Sequence, residues 1–201
     1  MSSHPFPDYV YQRLADHLRS WPQRAAQEIC MMVCMISFDE DDEWRGNMNF
    51  SATTAVFWAG TFIPNEQEPG KKWYTVMVSP FEHFEMCRGS GKWYGSDDPG
   101  DTECVVLRDD HFRSLNLADR EPGAPAAAFV DVCADSIRRL FQNGVITEVC
   151  GQPVPVILCF GNDMGNENHL MRRMREANPP SLTDEYYQWR KEHFSGAEKW
   201  D

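Results

Sequence analysis

The chain has 201 residues, of which 42% are hydrophobic, enough for one sizeable core and too many for a disordered polypeptide. Its 31 acidic and 19 basic side chains give a formal net charge of −12. That balance repels phosphate backbones and anionic bilayers, so it argues against nucleic acid and membrane partners and in favour of a basic protein.

Residues 8–21 read as a helix, because Val10, Leu14, Leu18 and Trp21 recur at helical spacing and Pro22 follows. Ile29–Phe38 is apolar on both alternating faces and reads as an interior strand. The like charges of Asp39, Glu40, Asp41, Asp42 and Glu43 cannot be buried together, so an exposed loop is expected there. Met48–Trp58 and Trp73–Val78 have strand composition. From Phe81 to Pro122 the pattern weakens; glycines 89, 91, 95 and 100 suggest a hairpin with a long tip, then irregular structure, with Cys104 as a strand cysteine. Phe129, Val130, Cys133, Ile137, Leu140 and Phe141 form a helical stripe closed by Gly144. Val154–Phe160 reads as a buried strand. Leu170–Ala177 reads as a short helix broken by Asn178-Pro179-Pro180. A last helix carries Leu182, Tyr186 and Trp189 inward, with Ser181 and Asp184 as its capping pair. This order predicts a single α+β domain over 1–201, with a central, mostly antiparallel sheet, an N-terminal helix and C-terminal helices packed on it.

Seven cysteines, an odd number without regular spacing, sit mostly in apolar runs. Most are expected to be reduced, buried thiols, which implies a cytoplasmic protein. The N-terminus lacks a basic stretch followed by an apolar one, so no signal peptide is expected, and no apolar run approaches the ~20 residues of a membrane span.

Motifs for chemistry fail on inspection. Gly89-Ser-Gly-Lys92 lacks the earlier glycine and the following hydroxyl of a phosphate loop, having Met86 and Trp93 there. Asp39–Glu43 meets Trp44 where a calcium loop needs glycine. There is no His pair at i, i+4 spacing and no Cys-x-x-Cys, so neither a cofactor nor a metal is expected. The scattered set Cys104, His83, His111 and Glu103 is the enzyme alternative, a small hydrolase-like site. Aromatics beside acidic runs are typical interface anchors. The candidate partner-binding residues are therefore Asp39, Glu40, Asp41, Asp42, Glu43, Trp44, Trp93, Tyr94, Asp97 and Asp98.

Leu140-Phe-Gln-Asn-Gly144, Gln152-Pro-Val-Pro-Val-Ile-Leu158 and Ala177-Asn-Pro-Pro-Ser-Leu182, with Glu185 and Trp189, together resemble a bacterial family of uncharacterised intracellular domains. Several families of this size and style are immunity proteins that accompany secreted antibacterial toxins. The resemblance covers the C-terminal third, and weakly Ile29–Phe38 and Trp73–Val78. It implies no catalytic residue; Asn178 and Pro179 carry over as a helix break, Leu182 and Trp189 as packing. The expected function is an inhibitor that binds a basic toxin domain. A small enzyme and a regulatory or structural subunit are the alternatives.

Overall fold

A computed structural model describes residues 4–37, 54–60, 84–87, 100–117, 123–160 and 167–193. The first helix, α1 (Pro5–Arg19), starts where the His4 Nδ1 accepts the Phe6 N–H at 3.2 Å. Pro5 costs nothing at the first helical position, whose N–H has no partner inside a helix. Phe6, Val10, Leu14 and Leu18 recur every four residues and are all buried. A short turn of helix, α2 (Gln23–Ala26), leads to β1 (Met31–Ser37).

Four strands form one sheet in the order β3-β2-β1-β4, with β2 Thr54–Gly60, β3 Phe84–Met86 and β4 Val156–Phe160. β1 lies between β2, which it meets antiparallel with Ser37 opposite Thr54, and β4, which it meets in parallel with Ile36 opposite Phe160. Met31 to Cys34 and Ile36 are buried, so both faces of β1 are covered, as its continuous apolar run predicts.

The remaining helices are α3 (Thr102–Ser114), α4 (Gly123–Gln142), α5 (Val145–Cys150), α6 (Glu167–Ala177) and α7 (Pro180–His193). α4 packs against α1, α5 and α6. Its buried residues include Ala126, Phe129, Val130, Val132, Cys133, Ala134, Ser136, Ile137 and Leu140, a broad apolar face, while Asp131, Asp135 and Arg138 lie on the opposite, polar side. Gly144 closes it in the left-handed region at φ 71°, where a side chain would be strained, and its carbonyl accepts the Glu148 N–H that starts α5.

The expected α+β domain built on a central, mostly antiparallel sheet is therefore corrected. Most described residues are helical, the strands are short, and β1 is joined in parallel to β4. The helices are the bulk of the core rather than a cover for a sheet. The error arose where side-chain patterning is poor. α3 buries only Cys104, Arg108 and Phe112, so its sequence has no clear apolar stripe, and Cys104 lies on this helix rather than on a strand. α5 is too short to show a helical period. α7 begins at Pro180, so Ser181 is already helical and is not the cap, and Leu182 is only half-buried, whereas Tyr186, Tyr187 and Trp189 are buried. Trp73–Val78 lies outside the described residues.

Candidate functional site

Strand direction fixes which chain segments meet. β1 and β4 run the same way, β2 runs against β1, and β3 runs against β2. Ser37, Thr54, Met86 and Phe160 consequently share one end of the sheet. The chain leaves this end after Ser37, towards Asp39–Trp44, and again after Cys87, towards Trp93, Tyr94, Asp97 and Asp98. These partner-binding residues themselves lie outside the described residues. Two connections, one after Ser37 and one after Cys87, thus leave from the same end of the sheet.

A polar cluster stands at the same end beside β4. Arg190 of α7 pairs with Glu167 at the start of α6 and hydrogen-bonds the Tyr186 hydroxyl. Burial pushes the Tyr186 phenol up to about 12 and the Cys159 thiol up to about 11, with the Arg190 cation opposing both shifts. Both groups are therefore protonated at neutral pH, and Cys159 is a poor nucleophile. The cluster locks α6 and α7 onto the strand end.

The second junction joins α1 to α3. Asp101 caps α3, its Oδ1 accepting the Cys104 N–H at 3.3 Å. The Tyr9 hydroxyl donates to Asp101 Oδ1 at 3.5 Å and to Glu103 Oε2 at 3.4 Å, and the Arg13 guanidinium lies 3.8 Å from Asp101 Oδ2. The His111 ring lies 5.0 Å from that of His4, and its pKa is lowered by burial and then by His4.

This geometry does not assemble the enzyme alternative. Cys104 is bonded to Cys87 as a disulfide and both residues are fully buried, so its sulfur is not available as a nucleophile. Glu103 and His111 lie more than two turns apart on α3, about 12 Å along the axis. His83 lies outside the described residues. The Cys87–Cys104 disulfide is the exception to the expectation that most cysteines are reduced; Cys30, Cys34, Cys133, Cys150 and Cys159 are free. Sequence reasoning missed the Cys87–Cys104 pair because cysteine spacing alone does not identify partners. The helical placement of Cys104, as distinct from its pairing, did have a signal: Asp101 as an N-cap followed by the acidic Glu103 in the first turn.

Among the described residues no three His, Cys, Asp or Glu side chains group to hold a metal ion, and no helix is long and apolar enough to cross a membrane. No family model, curated protein or solved structure matches the chain.

Proposed function

We propose that the chain is an inhibitor-type binding protein, of the immunity-protein kind, that neutralises a basic toxin domain by presenting acidic and aromatic side chains from one end of its sheet. The observation that supports this reading is that the chain leaves one end of the sheet twice, after Ser37 ahead of Asp39–Trp44 in sequence and after Cys87 ahead of Trp93–Asp98. Charge bookkeeping supports it. The described residues hold 16 acidic and 12 basic side chains, a net −4 of the chain's −12. Arginines of this framework are engaged with carboxylates, from Arg13 with Asp101 to Arg190 with Glu167. The larger acidic surplus is left to the remaining segments, where it steers a cationic partner and mimics the phosphates of a toxin's substrate.

The test is capture of binding proteins from the host lysate on the immobilised chain, followed by kinetics. A basic protein is expected. Replacing Asp39, Asp41 and Asp42 by Asn slows association and flattens its salt dependence, because exposed charges act within about 10 Å at moderate salt. Trp44→Ala speeds dissociation, since buried aromatic anchors contribute about 2 kcal/mol or more. Unchanged kinetics in both variants overturn the reading.

A further inference from the structure

We draw no further inference here: the strongest candidate, the side-chain cluster of Asp131, His169, Arg172 and Arg173 where α6 packs on α4, is accounted for by the ion pairs that join the two helices, and nothing among the described residues shows what it would bind.

Discussion

Asn178 occupies the free edge of β4 opposite Val156, taking the place of one residue of a further strand. Its Oδ1 accepts the Val156 N–H at 2.8 Å, and its Nδ2 donates to the Val156 carbonyl at 2.9 Å. The same nitrogen donates to the Met174 carbonyl, also at 2.9 Å, one turn back in α6. Because β4 pairs with β1 on its other side, these backbone groups would otherwise be buried without partners.

Removing that amide is therefore costly. Asn178→Ala leaves the Val156 N–H and carbonyl unsatisfied, while the Met174 carbonyl keeps the backbone N–H of residue 178, and is expected to cost about 3 kcal/mol. Asn178→Asp is expected to be worse, since it keeps the acceptor, loses both donations and sets a carboxylate against two carbonyl oxygens. Urea denaturation reads both, and an unchanged midpoint for Asn178→Ala would refute the bracket.

The last helix buries three aromatics, Tyr186, Tyr187 and Trp189. Trp189 is 9% exposed and its ring lies 6.0 Å from that of Tyr186. Trp189→Ala is expected to cost about 3–5 kcal/mol and to lower the melting temperature by roughly 10 °C. Leu182→Ala, at a half-buried position, is expected to cost roughly half as much. Equal losses would mean that the helix is rotated relative to this description.

Acid should weaken the fold through two histidines. The Trp21 indole N–H donates to His17 Nε2 at 3.2 Å, which requires a neutral ring there. Burial first, and the Arg13 cation second, lower the His17 pKa; burial and His4 lower that of His111. With folded values below the ordinary 6.5, the unfolded chain binds more protons, so stability is intact above about pH 6.5 and falls as pH drops below it. His111→Phe, placed beside Phe6 and Phe112, is expected to narrow the gap between urea midpoints at about pH 7.5 and about pH 5. An unchanged gap would assign the acid sensitivity elsewhere.

Thiol counting checks the cysteine assignment. Denatured, unreduced protein is expected to label at Cys30, Cys34, Cys133, Cys150 and Cys159, and reduced protein at all seven cysteines. In the native state Cys34 and Cys133, buried against each other through a sulfur hydrogen bond, are expected to label last. Seven labels before reduction would remove the disulfide.

Where the sequence was legible, one side chain type repeated at one period. Val10 to Leu18 and Phe129 to Leu140 announce helices, though the first begins at Pro5 and ends at Arg19 rather than spanning 8–21, and Met31 to Ile36 announces a covered strand, because burial imposes a pattern on each. The α3 helix was not legible, because it buries an arginine, Arg108, held by Asp109 at 2.8 Å, in place of an apolar residue. The strand partners were not legible either. Ile29–Phe38 shows that two neighbours cover β1 but not that one of them is Val156–Phe160 in parallel. That the chain leaves one end of the sheet both after Ser37 and after Cys87 follows from the antiparallel pairings of β1 with β2 and of β2 with β3, which side-chain patterning alone does not reveal.

The parallel pairing also sets an order of events during synthesis. Met32 and its neighbour Val156 are about 120 residues apart, a separation translation covers in about 6–25 s. The antiparallel partner β2 is available much sooner, since Thr54 follows Ser37 by a short stretch of chain. During that interval the apolar run of β1 has β2 to pair with but lacks both β4 and the α4 surface that buries it. Contacts this distant in sequence make closure of the core a late and slow step, and they expose the half-built strand to chaperones and to other nascent copies.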